Sequence, residues 1–181
     1  MVLAHLGLSP WEVLHQGIAR HIGIGIGTVG IAVGMLVLVL WLPLRQRLGV
    51  GTVLNVIVIG LVIDGVLAVA DQPAGLAVRV VCLVAGIVAF GVGSGFYIGV
   101  HLGAGPRDGL MTALASRTGL SIRLVRTVLE LAALAGGWAL AGNIGPGTVL
   151  FAVAIGPLVQ LSLNRLSLDP LVSTIGESPA S

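Results

Sequence analysis

Gly103-Ala104-Gly105-Pro106-Arg107-Asp108-Gly109-Leu110-Met111 places an arginine and an aspartate side by side in a chain with almost no other charge. The stretch has a twin. Subtracting 96 from each number gives Gly7-Leu8-Ser9-Pro10-Trp11-Glu12-Val13-Leu14, where the leading glycine, the proline, an acid and the leucine keep their places. The same offset aligns His5-Leu6-Gly7 with His101-Leu102-Gly103, Gly51-Thr52-Val53-Leu54 with Gly147-Thr148-Val149-Leu150, and Ile59-Gly60 with Ile155-Gly156. Of the 66 columns from His5 to Ala70, 19 are identical without a gap. Shared apolar composition raises chance identity, but it does not cluster Gly-x-Gly-Thr-Val-Leu at a constant offset. The chain therefore reads as an internal duplication.

Composition identifies the solvent. Of 181 residues, 56% are hydrophobic and only 9% charged, and the mean hydropathy is +1.11. A soluble domain carries roughly 25% charged residues. A chain this poor in charge cannot dress a water-facing surface, so the expected partner is the lipid bilayer. All nine basic residues are arginines, giving a net charge of +2. They are scattered near helix ends rather than clustered, which argues against nucleic acid. The single cysteine, Cys82, lies in an apolar run and excludes an internal disulfide; its expected role is packing. The first twenty residues contain Glu12 and lack the pattern of a cleavable signal peptide, so none is expected.

Ser9 and Pro10 read as the N-cap and first residue of a helix reaching His21. About 12 residues at ~1.5 Å each cover ~18 Å, which suits a re-entrant or interfacial segment. Met1 to Leu8 is too brief to cross a bilayer. Apolar runs predict five spans: Ile22–Leu44, Gly51–Ala70, Leu76–Val100, Ser121–Leu140 and Gly147–Leu163. A second short helix is expected from Pro106 to about Arg117. Trp41 is placed as an interface anchor, and Arg79 as a side chain that snorkels. The fold class is an all-α polytopic bundle with two short half-helices.

Arginine placement orients it. With the 45–49 loop in the cytoplasm, Arg45, Arg47, Arg107, Arg117, Arg123, Arg126 and Arg165 fall inside, and only Arg20 and Arg79 outside. This predicts an external N-terminus and a cytoplasmic C-terminus. Three spans per repeat is an odd number, so the copies are expected to sit inverted. The first repeat covers 1–72, the second 73–166, and 167–181 is expected to be a disordered cytoplasmic tail. Residues 1–8 match only the end of the third span, so the first repeat is expected to lack its opening helix, through truncation or a misassigned start.

Three stretches carry a resemblance: Gly-Leu-Ser-Pro-Trp-Glu-Val-Leu-His at 7–15, Gly-Pro-Arg-Asp-Gly-Leu-Met at 105–111, and Gly-Thr-Val-Leu-Asn with the later Ile-Gly and Ile-Asp at 51–64. Together they resemble the bacterial YczE membrane proteins, within a broader YczE/YyaS/YitT grouping, from His5 to about Arg165. The resemblance implies an integral protein of the bacterial inner membrane with no assigned molecular activity. This chain departs from the family pattern in lacking the first helix.

An ionisable group at mid-membrane costs at least ~2.5–3.5 kcal/mol, so each one needs a reason. Arg107 and Asp108 follow a helix-breaking proline, and the half-helix after it aims free N–H groups into the membrane. There the pair either binds an anionic group or divides its work, with Asp108 capping the helix and Arg107 meeting lipid phosphate. Glu12 is the counterpart of Asp108, while Trp11 replaces Arg107. Arg123, Arg126 and Glu130 share one helical stripe. Arg126 is the natural partner of Glu130, either as a structural pair or within a polar cavity shared with Arg107 and Asp108. Asp64 either reaches the outer interface or faces that cavity as a neutral acid. Asn55 reads as an interhelical hydrogen bond, and His15 and His21 as interfacial.

His5 and His101 lack a third ligand, so no metal is expected. Gly25-Ile26-Gly27-Thr28-Val29-Gly30 has the dinucleotide fingerprint but lies within a membrane-length run rather than a βαβ unit, so no cofactor is expected. No nucleophile–base pair is visible, and no catalytic residue is assigned. Gly91, Gly95 and Gly99 leave one helix face bare and suit close packing or a homodimer. Inverted repeats with broken helices point to a secondary transporter of a small anionic substrate or a proton, with Arg107, Asp108, Glu130, Arg126, Asp64 and Glu12 as its contacts. The alternative is a non-catalytic membrane scaffold or accessory subunit that binds partners through glycine faces.

Overall fold

The computed structural model describes residues 1–46, 48–71, 73–99 and 105–166, with side-chain detail for all of these but 95–99, 122–123, 159–160 and 163–166. Every secondary-structure element among the described residues is a helix. After a 3-10 turn at Val2–Ala4 come α1 (Pro10–Ile22), α2 (Ile26–Leu44), α3 (Val50–Val69), α4 (Leu76–Gly99), α5 (Pro106–Thr118), α6 (Ile122–Ala139) and α7 (Pro146–Leu166). By length and composition, α2, α3 and the Leu76–Ser94 part of α4 can each cross a membrane. In α7 the apolar stretch is Pro146–Leu158, and α6 has 18 residues with Arg126 in its second turn and Glu130 at its middle. The tail 167–181, Arg47, His101 and the opening Gly103-Ala104 of the second motif lie outside the described residues.

The short helices begin and end where local chemistry dictates. Ser9 caps α1 in a capping box: its hydroxyl accepts from the Glu12 N–H, and the Glu12 carboxylate accepts from the Ser9 N–H. Pro10 then supplies a preset φ where no N–H is needed. Gly23 closes the helix in the left-handed region at φ 73°, its N–H donating to the Ala19 carbonyl at 2.9 Å. Ninety-six residues on, Gly119 closes α5 at φ 70° with its N–H on Ala115, at 3.0 Å. Apolar residues run straight through the Gly23–Gly25 break, so the expected span from Ile22 begins instead at Ile26.

Packing is crosswise. α1 lies on α6 as well as α2, and α5 lies on α2 as well as α6. The two joints use matching positions. A Cβ on Gly137 would stand 2.4 Å from the Leu14 nitrogen and 2.5 Å from the Val13 carbonyl carbon; a Cβ on Gly109 would stand 2.0 Å from the Trp41 ring. Val13 and Gly109 are 96 apart, and so are Trp41 and Gly137. Each joint therefore pairs one larger residue with one glycine, in swapped order. Trp41 is only 1% exposed, and its indole N–H donates to the Pro106 carbonyl at 3.0 Å. It is the anchor of a core with Val37, Leu38, Val56 and Leu110, not an interface residue as its sequence position suggested. A second core joins α4 to α7 through Leu83, Ile87, Phe151 and Ile155, over Ala4.

Arginines fasten the ends. Arg20, in the last turn of α1, donates to the Ala141 carbonyl just past α6. Arg117, in the last turn of α5, donates to the Pro43 carbonyl near the end of α2. Both satisfy carbonyls that a helix terminus leaves without partners. Arg79 donates to the Ala4 carbonyl at 2.6 Å and pins the start of α4 to the 3-10 turn.

Candidate functional site

Between the two short helices lies a cavity of about 880 Å³, within the ~300–1,000 Å³ of small-molecule sites. Each helix lines it with the same register of positions. From α1 come Pro10, Trp11, Glu12 and His15; from α5 come Pro106, Arg107, Asp108 and Met111. Each set is the first, second, third and sixth residue of its helix, and the two sets are 96 apart. Arg126 and Glu130 of α6 add charge to the wall. Their counterparts on α2, Gly30 and Gly34, line it without side chains. A Cβ on Gly30 would lie 3.4 Å from the His15 Nδ1, so this glycine leaves the imidazole its room.

Arg107 stands at the centre. Its guanidinium faces Glu130 at 4.0 Å and lies 6.0 Å from the Trp11 ring centre and 5.7 Å from that of Phe90. Both ring distances are at the outer reach of a cation–π contact. At 4.0 Å and an effective dielectric of about 20, the ion pair is worth ~4 kcal/mol before desolvation, which removes much of it. Trp11 and Arg107 are counterparts, so the two halves of the chain touch at their own matching positions.

Five of the six site residues expected from sequence, Arg107, Asp108, Glu130, Arg126 and Glu12, meet at this cavity. Their pairing differs from the expectation. Glu130 pairs with Arg107 of α5, and Arg126, four residues back on its own helix, acts on it more weakly than Arg107 does. Asp108 occupies the first turn of α5, whose N-cap is Gly105. Glu12 is engaged in its capping box. The side chain of Arg123 lies outside the described residues.

Asp64 is elsewhere. From α3 its carboxylate accepts the N–H of Gly27 and of Thr28, both at 2.7 Å, and the Thr28 hydroxyl at 2.6 Å. It caps α2 from the neighbouring helix, because Gly25 at the N-cap has no side chain to do so. The approach is tight enough that a Cβ on Gly27 would lie 1.9 Å from the Gly60 carbonyl. Neither reading weighed from sequence, an interfacial acid or a cavity acid, includes this capping role. Gly91 faces Leu158 of α7 within the chain, while the side-chain faces of Gly95 and Gly99 lie outside the described residues.

His15 is the lining residue that sequence reasoning placed at the interface. Its Nε2 is buried without a hydrogen-bond partner. Burial first, and then the Arg107 charge, pull the imidazole down to about 4 from 6.5, so it is neutral at pH 7. The available signal was register: His15 is the counterpart of Met111, one turn below the Arg107-Asp108 pair. Among the described residues, no group of His, Cys, Asp and Glu is arranged to hold a metal ion.

The model of a family of unknown function, DUF6198, matches residues 1–164. An uncharacterized protein of Haemophilus influenzae is 43% identical over 170 residues, covering 94% of this chain and 78% of the relative. The uncharacterized membrane protein YczE of Bacillus subtilis is 34% identical over 161 residues, covering 88% of this chain and 75% of the relative. No solved structure matches the chain.

Proposed function

This chain belongs to the DUF6198 family and is a YczE-like membrane protein, and from that premise we propose that it is a secondary transporter built from two inverted three-span repeats. The observation that carries the proposal is the cavity at the contact of the two short helices, lined by matching positions of both and centred on Arg107 and Glu130. Paired charges at such a depth are costly and mark substrate or ion pathways. Short helices broken at a repeat interface are where transporters bind their cargo. On this reading Arg107, Glu130, Asp108 and Arg126 contact substrate or proton. Asp64 and Glu12 hold helix ends, and the chain needs no catalytic residue.

The contacts along the helices support the inverted topology. Placed as the arginine bias directs, with five spans, an external N-terminus and a cytoplasmic tail, Arg20 meets Ala141 on the outside, as do Asp64 with Gly27 and Arg79 with Ala4. Arg117 meets Pro43 on the inside. Each contact joins residues that this topology assigns to one side of the bilayer.

Purified full-length protein in liposomes, under an imposed proton gradient, tests the proposal. Substrate-driven proton flux, screened over charged small molecules, is expected from the wild type and from Arg45→Ala. Loss of at least tenfold is expected from Arg107→Ala and Glu130→Gln. Equal flux from all four proteins would reject the site, and a protein silent towards every charge class would reject transport.

A further inference from the structure

We propose that the cavity takes one positive charge at a time, either a proton or an organic monocation with an apolar body, so that binding the cation expels the proton. The inference rests on the transporter reading and assigns its substrate class. Among the described residues the lining carries three carboxylates, Glu12, Asp108 and Glu130, against two guanidinium groups, Arg107 and Arg126, a formal balance of 2 − 3 = −1. His15 adds no charge at neutral pH. No titratable side chain enters the lining from α2, α3, α4 or α7 among the described residues. The groups facing Glu130 are therefore Arg107 and Asp108 from α5 and Arg126 from its own helix, with Glu12 and His15 across the cavity on α1.

An excess negative charge in a partly desolvated cavity is unfavourable, and the N-terminal ends of α1 and α5 offset part of it. The cavity relieves the rest by binding a positive charge. Arg107 is poorly available to an anion, because Glu130 already faces it and Trp11 and Phe90 flank it. The same two rings are cation-binding surfaces. A volume of about 880 Å³ with Val33, Val37 and Ile59 in its walls leaves space for an apolar body. The exchange balances: the Glu130 carboxylic acid loses its proton to water, and the carboxylate left behind neutralises the incoming cation. Linkage is reciprocal, so protons must weaken cation binding as much as the cation weakens proton binding.

Tetraphenylphosphonium and tetraphenylborate, nearly equal in shape and opposite in charge, provide the test. Both are titrated calorimetrically into the full chain in detergent, with a pH dye in weak buffer reporting protons. The expected result is saturable binding of tetraphenylphosphonium, release approaching one proton per cation, and up to tenfold weaker binding per unit fall in pH. Glu130→Gln is expected to remove the proton release while leaving the fold intact by circular dichroism. Saturable binding of tetraphenylborate alone, cation binding without proton release, or no saturable binding of either probe would overturn the inference. Cation binding with proton release but no flux in liposomes would instead reject the transporter reading and leave this one standing. Flux of an anion that depends on Arg107 would do the reverse.

Discussion

Asp64 and Glu130 are both acids inside apolar helices, and their surroundings assign them opposite work. Asp64 receives three hydrogen bonds from the start of α2, while Glu130 pairs with Arg107 at 4.0 Å across a cavity. Charge-assisted bonds of the first kind are worth about 1.5–3 kcal/mol each at most, and they share one carboxylate. Asp64→Ala is therefore expected to destabilise the protein by about 2 kcal/mol, read as a lower melting temperature in detergent and faster amide exchange at 27–28. Glu130→Gln is expected to change stability by less than about 1 kcal/mol while abolishing function. The His15 imidazole, lowered to about 4 from 6.5 by burial and by Arg107, is expected to stay neutral at pH 5 by nitrogen NMR. Between those values the unfolded chain binds the extra proton, so stability falls as pH drops through that window. Local sequence rules suggested Arg126 as the partner of Glu130, because only residues three and four apart can be paired by inspection. Arg107 arrives from another helix, and the Asp64 cap crosses between helices in the same way, so neither was legible.

The helices themselves were largely legible, and for reasons of end chemistry. Ser9, Pro10 and Gly23, and Pro106 with Gly119, mark starts and stops that need no tertiary partner. Hydropathy located the long helices but missed the Gly23–Gly25 break, since isoleucines surround it. The crosswise joints make an element-scale prediction. At Gly137 an added Cβ meets Val13 and Leu14 backbone, and at Gly109 it meets the Trp41 ring. Gly137→Leu and Gly109→Leu are each expected to cost more than about 2 kcal/mol through overpacking. On α7 a Cβ at Gly156 meets nothing within 4 Å, so Gly156→Ala is expected to be neutral or stabilising by up to about 1 kcal/mol. Comparative melting of the three variants, with Trp41 fluorescence reporting the joint, checks the contrast.

At the scale of the molecule, the duplication offset recurs in helix bounds, caps, crosswise joints and cavity lining, and the proposed function depends on the two copies lying upside down to each other. Inversion puts the two short helices at opposite faces of the bilayer and their N-termini together at the cavity. Were the copies parallel, the three contacts between helix ends that join them, Arg20 with Ala141, Arg79 with Ala4 and Arg117 with Pro43, would have to join opposite sides of the membrane. In a Cys82→Ser background, His21→Cys and Arg117→Cys place single thiols at counterpart positions ending α1 and α5. Labelling intact cells with a membrane-impermeant maleimide, before and after permeabilisation, measures the side of each. The account predicts that position 21 labels on intact cells and position 117 only after permeabilisation. Labelling of both positions from the same side would contradict it.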